Sequence, residues 1–140
     1  MPVAGGQGRT VLKVFASGNG LTSPDWFLFT PLGLFVSSRG SNKVLLFDAT
    51  TGAFVRIAAE GNLLSLPECL VLDAQNRLLV TNRGNSTIDR YDAMTGAFVD
   101  HFLTGNGLST PPCVIAGTDG NLYVSNSGDA TVRKFTASGT

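Results

Sequence analysis

Few side chains in this sequence are able to do chemistry, and they recur at a fixed spacing. The one histidine, His101, follows Asp100. A histidine beside a carboxylate is the usual core of an acid–base or Ser-His-Asp set, provided a nucleophile lies within hydrogen-bond reach. The two cysteines, Cys69 and Cys113, stand 44 residues apart. Asp25 and Glu68 each follow a proline, and Trp26 or Cys69 comes next. Ser38-Arg39, Asn82-Arg83 and Asn126-Ser127 each precede a glycine, and Asp129 follows the last of these. The same types at the same interval mean that the elements holding them are repeated.

Composition narrows the functional classes. The chain has 140 residues, of which 43% are hydrophobic and 14% charged, which excludes a disordered chain. Ten basic and ten acidic residues cancel, so no broad electropositive face for nucleic acid or anionic lipid is expected. No apolar run approaches the roughly 18 residues of a membrane-spanning helix, and the first 20 residues lack the basic and apolar regions of a signal peptide. A cytoplasmic location is the default expectation.

The repeat is clearest in 119–135. Asp119-Gly120-Asn121 leads into Leu122-Tyr123-Val124, Ser127-Gly128 makes a turn, and Thr131 to Phe135 returns, which reads as a β-hairpin. A step back of 44 places Val124 on Val80, Gly128 on Gly84 and Phe135 on Tyr91; a second places these on Val36, Gly40 and Phe47. A period in the 40s made of strands and glycine turns predicts β-propeller blades of four strands each.

Taken in order, residues 1–8 are expected as a flexible tail and 9–20 as the outer strand of a split blade, centred on Val11–Phe15. Residues 21–61 and 62–105 form two full blades, and 106–140 supplies three strands of the split one. Each blade is entered through a Gly-Asn loop ending in proline, at Pro24, Pro67 and Pro111, which presets an extended start. Inner strands follow at Trp26–Phe29, Cys69–Leu72 and Cys113–Ala116, apolar enough to be buried on both sides. Cys69 and Cys113 therefore lie on adjacent inner strands. These usually diverge beyond the roughly 7 Å a disulfide spans, so free, half-buried thiols are expected.

Pro111 to Phe135, with Asp119-Gly120-Asn121-Leu122-Tyr123-Val124 and Asn126-Ser127-Gly128, resembles the NHL repeat of six-bladed propellers, and related patterns occur in propeller lactonases and streptogramin lyases. The polar pair usual after the second turn is replaced by Ala130-Thr131, Ser86-Thr87 and Asn42-Lys43, so the family's surface contacts do not carry over. The fold puts Asp25, Trp26, Ser38, Arg39, Glu68, Asn82, Arg83, Asn126 and Asp129 at one mouth of the central channel. Asp25, Trp26, Arg39, Glu68, Asn82, Arg83 and Asn126 are the candidate ligand-binding residues. Glu68, Asn82 and Asn126 resemble the oxygen-rich metal sites of propeller lactonases, which suit a hard divalent cation. His101 falls on an outer strand, where it supplies neither the channel-face histidine of the lyases nor a base for a channel nucleophile. The reading is thus a non-enzymatic binding scaffold with no required cofactor and an unidentified protein or small-molecule ligand. A metal-dependent hydrolase or lyase is the alternative.

Three blades cannot close a ring, so a homodimer forming six blades is expected. The strand Val11–Phe15, through Val11, Leu12, Val14 and Phe15, would complete the partner's third repeat at Val132 and Phe135.

Overall fold

The computed structural model describes residues 12–140, which form eleven strands in three antiparallel sheets. The first sheet holds β1 (Pro24–Thr30), β2 (Gly33–Ser38), β3 (Lys43–Phe47) and β4 (Phe54–Ala59) in sequence order. The second holds β5 (Pro67–Leu72), β6 (Arg77–Asn82), β7 (Thr87–Asp92) and β8 (Phe98–Thr104) in the same order. The third holds β9 (Val114–Ala116), β10 (Leu122–Asn126) and β11 (Thr131–Phe135). All-β architecture with propeller-like sheets is therefore observed. Val11, an expected assembly residue, and the expected tail 1–8 lie outside the described residues.

The turns follow from the repeated sequence. Between β3 and β4 the Asp48 carboxylate accepts the backbone N–H groups of Thr50 and Thr51 at 2.8 and 2.7 Å, and Asp92 does the same for Met94 and Thr95 at 2.9 and 2.7 Å. Gly52 and Gly96 close these turns at φ of 74° and 77°, a conformation a Cβ would strain. The loops between sheets repeat as faithfully: Asn19, Asn62 and Asn106 all adopt a left-handed φ, of 56°, 50° and 50°.

Alternation along the middle strands sends successive side chains to opposite faces, so each sheet is apolar on both. Phe35, Val44 and Leu46 of the first sheet meet Leu70, Leu78, Val80 and Tyr91 of the second, with Ala58, Ala59 and Leu64 filling the join. Leu79 and Ile88 of the second meet Val114, Leu122, Val124 and Phe135 of the third, with Phe102, Leu103 and Leu108 in the equivalent place. Leu34, Val36, Leu45 and Phe47, on the far face of the first sheet, are covered by Ile57 and by Phe15, Ala16 and Leu21.

Among the described residues, 12–23 join no sheet ladder and form no strand within the single chain, and Leu12 and Val14 stand 98% and 74% exposed; the outer strand expected at 9–20 is one that pairs with a second copy. Two expectations are corrected. The inner strand β1 is not buried on both sides, since its outer face has no neighbouring sheet, and Phe27 and Phe29 are exposed. Cys69 and Cys113 are not free thiols but a disulfide: at this height the second and third sheets converge, and the Cα atoms stand 4.8 Å apart.

Candidate functional site at the mouth of the sheets

The mouth is built by the loops that enter each sheet, pinned to the turns after β2, β6 and β10. Gly40 N–H donates to Thr22 O at 2.9 Å, Gly84 N–H to Ser65 O at 3.1 Å and Gly128 N–H to Ser109 O at 3.1 Å. A side chain at Gly84 or Gly128 would collide with Ser65 or Ser109, so the loop can approach only because these positions are glycine. Below each contact one buried polar side chain clamps the loop. Ser38 Oγ accepts the Thr22 N–H at 2.8 Å, Asn82 Oδ1 the Ser65 N–H at 3.2 Å and Asn126 Oδ1 the Ser109 N–H at 2.7 Å. Asn126 also donates to Gly107 O at 2.7 Å.

Asn82 and Asn126 are thus 0% and 1% exposed, with their amide oxygens bonded to the loops. Glu68, the remaining residue of the expected oxygen set, sits elsewhere. Its nearly buried carboxylate lies 3.3 Å from Arg83 of its own sheet and 3.9 Å from Arg39 of the preceding sheet. The two arginine side chains are 42% and 38% exposed, so the triad carries one net positive charge at a partly solvent-exposed rim. Asp25 and Trp26 occupy the corresponding rim position of the first sheet, and the Trp26 indole is 42% exposed. Asp129 turns away to Arg133, at 2.7 Å, and the Thr131 hydroxyl together with that guanidinium holds its pKa down at about 2.

The inner strands are set by a device that recurs three times. The backbone N–H of Trp26 donates to Ser37 Oγ at 2.8 Å, that of Cys69 to Thr81 Oγ1 at 2.9 Å and that of Cys113 to Ser125 Oγ at 3.1 Å. In β1 and β5 the side-chain bond sits at a register shift, between Pro24 and Phe27 and between Pro67 and Leu70. Hydroxyls inside otherwise apolar strands were the readable signal for this bulge.

Sequence reasoning missed Asp89. It is fully buried, accepts from Asn82 Nδ2 at 2.7 Å and lies 2.8 Å from His101 Nδ1. Burial raises its pKa above the usual carboxylate value, while the bonds from His101, Thr87 and Asn82 oppose the rise. His101 lies on the outer strand β8, its ring 4.9 Å from that of Phe98, and it holds the sheet rather than the channel. Asp89 is a buried carboxylate between Ile88 and Arg90 on β7, and the histidine directly across the ladder is its partner. Of the assembly residues, Val132 is 70% exposed, whereas Phe135 is buried against the second sheet.

No protein-family model matches the sequence, and no curated protein does. Solved structures match the fold. Virginiamycin B lyase from Staphylococcus aureus aligns with a TM-score of 0.69 at 21% identity, over 85% of this chain and 40% of its own. The WD40 β-propeller domain of Doa1 gives 0.58 at 21% identity, over 74% and 33%. A gluconolactonase from Xanthomonas campestris gives 0.54 at 23% identity, over 75% and 34%. The structural neighbours are β-propeller proteins, and the chain spans about two fifths or less of the length of these three.

Proposed function

We propose that this chain is a non-enzymatic β-propeller scaffold that joins a second copy to form a six-bladed ring and binds a protein or small ligand at the ring's mouth. The observation that carries the reading is the Arg39–Glu68–Arg83 triad, in which one nearly buried carboxylate holds two partly exposed guanidinium groups; the exposed Trp26 lies on β1, the strand paired with the one that leads into Arg39. Such a surface recognises a ligand with an acidic group next to an apolar or aromatic one, because guanidinium forks pair with carboxylates and phosphates and the indole stacks. A likeness to NHL-type propellers is part of this reading. It rests on the Asp119-Gly120-Asn121 and Asn126-Ser127-Gly128 motifs.

The neighbours include enzymes, a lyase and a gluconolactonase, and a metal-dependent hydrolase or lyase is the competing reading. The donor chemistry does not favour it. A hard cation needs several oxygens facing one point. Here the Asn82 and Asn126 oxygens accept loop N–H groups and the Glu68 carboxylate faces two arginines. Glu68, Asn82 and Asn126 therefore do not fit a divalent cation.

A thermal-shift screen of acidic small molecules and peptides tests the binding reading, because a ligand selective for the folded state raises the melting temperature. Hits should disappear in Arg83→Ala or Trp26→Ala. A stoichiometric, tightly held metal in the purified protein, or lactone hydrolysis abolished by Glu68→Gln, would overturn the non-enzymatic reading.

A further inference from the structure

We infer that the free edge of β11 receives residues 13–17 of a second copy, antiparallel, in the register Ser17 on Thr131, Ala16 on Val132 and Lys13 on Lys134. This rests on the ring reading and specifies the contact that closes it.

Residues 15–21 are already seated as an outer-strand segment should be. The Phe15 carbonyl lies against Gly52 of the first sheet, as the Ala58 carbonyl lies against Gly96 of the second and the Phe102 ring against Gly139 beyond the third. Leu21 N–H donates to Gly18 O at 2.9 Å, Leu64 to Gly61 O at 2.9 Å and Leu108 to Gly105 O at 2.8 Å. Phe15, Ala16 and Leu21 cover the first sheet just as Phe102, Leu103 and Leu108 cover the third. Residues 98–104, however, also pair with β7, and residues 13–17 have no such strand beside them.

The complementary vacancy is on the third sheet. Its edge is β11, whose counterpart β7 is covered by β8. Ile88 of β7 is fully buried, while Val132 at the same repeat position is 70% exposed. Ile115 is 56% exposed and, with Cys113, Tyr123 and Ser125, lines a hollow beside Val132. Across the first sheet, Phe27 and Phe29 stand exposed above Leu34 and Val36, apolar surface of the kind that fills the two internal joins.

The register follows from the repeat. Thr87 pairs with Thr104, Ile88 with Leu103 and Arg90 with Asp100; these positions recur as Thr131, Val132 and Lys134 and as Ser17, Ala16 and Lys13. The facing lysines are tolerated because Lys134 is already paired with Asp119 at 3.0 Å. The chain's own segment cannot serve. It is seated on the far face of the first sheet, and the second sheet stands between that sheet and β11. Closure would set Asp25 between Arg39 and Ser127 of the partner subunit, as Glu68 lies between Arg83 and Arg39, so the mouth is completed by both copies.

The chain has three lysines, Lys13, Lys43 and Lys134. Labelled and unlabelled wild-type protein, refolded together and treated with a short amine-reactive cross-linker, should yield a Lys13–Lys134 link joining heavy to light chains. Ser17→Cys/Thr131→Cys, both exposed positions, should oxidise to a covalent dimer, and Ser17→Cys/Lys134→Cys, out of register, should not. A dimer of the right mass in which neither link forms overturns the register and leaves the ring reading standing. Links confined to single chains, on a monomer, overturn both.

Discussion

At the scale of single residues, the three repeats act as internal controls on one another. Tyr91 packs edge-on to Phe98 with ring centroids 5.5 Å apart, and its buried hydroxyl has no hydrogen-bond partner among the described residues. Burial, with the nearby Asp89 charge, raises its pKa well beyond the usual phenol range. The other two repeats use Phe47 and Phe135 at this place. Tyr91→Phe should therefore stabilise the protein by about 1 kcal/mol, the cost of one unpaired buried polar group, as a higher urea midpoint at unchanged slope. The turn aspartates set the acid response. Backbone N–H groups, led by that of Thr51, hold Asp48 below the usual carboxylate value, those of Thr95 do so for Asp92, and Thr131 and Arg133 bring Asp129 to about 2. A carboxylate whose folded pKa is depressed contributes stability above its unfolded value of roughly 4. That contribution is lost as pH falls through the folded value. Asp89, with a raised pKa, has the opposite sign and moderates the loss. Thermal melts should fall between about pH 4 and pH 2, and the fall should be shallower in Asp48→Asn.

At the scale of elements, the strands and turns were legible because each is written locally and repeated. Asp-x-x-Thr-Gly turns, Gly-Asn loops ending in proline, and alternating middle strands all carry their physics within a few residues. The clamps were not legible. Asn82 and Asn126 read as channel oxygens because asparagine before a turn has the same sequence signature whether it faces a ligand or its own backbone. Asp89 escaped notice because its partners, Asn82 and His101, lie on two different neighbouring strands. The cysteines failed for a different reason: sequence gives the interval between two inner strands but not how closely the sheets converge at one height. The disulfide that results closes a 44-residue interval between β5 and the start of β9. In the chain-entropy account such a loop contributes about 4 kcal/mol. Cys69→Ala/Cys113→Ala, or the wild type under strong reductant, should melt well below the oxidised protein while retaining its β circular dichroism. Equal melting temperatures would mean that the sheets are held by their apolar joins alone.

At the scale of the whole molecule, the decisive feature is asymmetry between joins. Two joins between sheets are filled by buried apolar side chains, whereas the outer faces of the first and third sheets leave Phe27, Phe29, Ile115 and Val132 exposed. Large apolar faces of this kind are not left in water by a stable chain. Two such half rings placed head to tail about a two-fold axis satisfy both faces at once, and six blades lie within the range of closed propellers. In the proposed ring the mouth would carry two copies of the Arg39–Glu68–Arg83 triad and of Trp26 on opposite sides of one channel, a doubled site suited to a symmetric or extended ligand. Light scattering coupled to size exclusion of the 140-residue chain tests this closure most directly. The account predicts a single species at about twice the 14.6 kDa chain mass, unchanged on dilution to micromolar concentration. A compact, stable monomer at that concentration would contradict it.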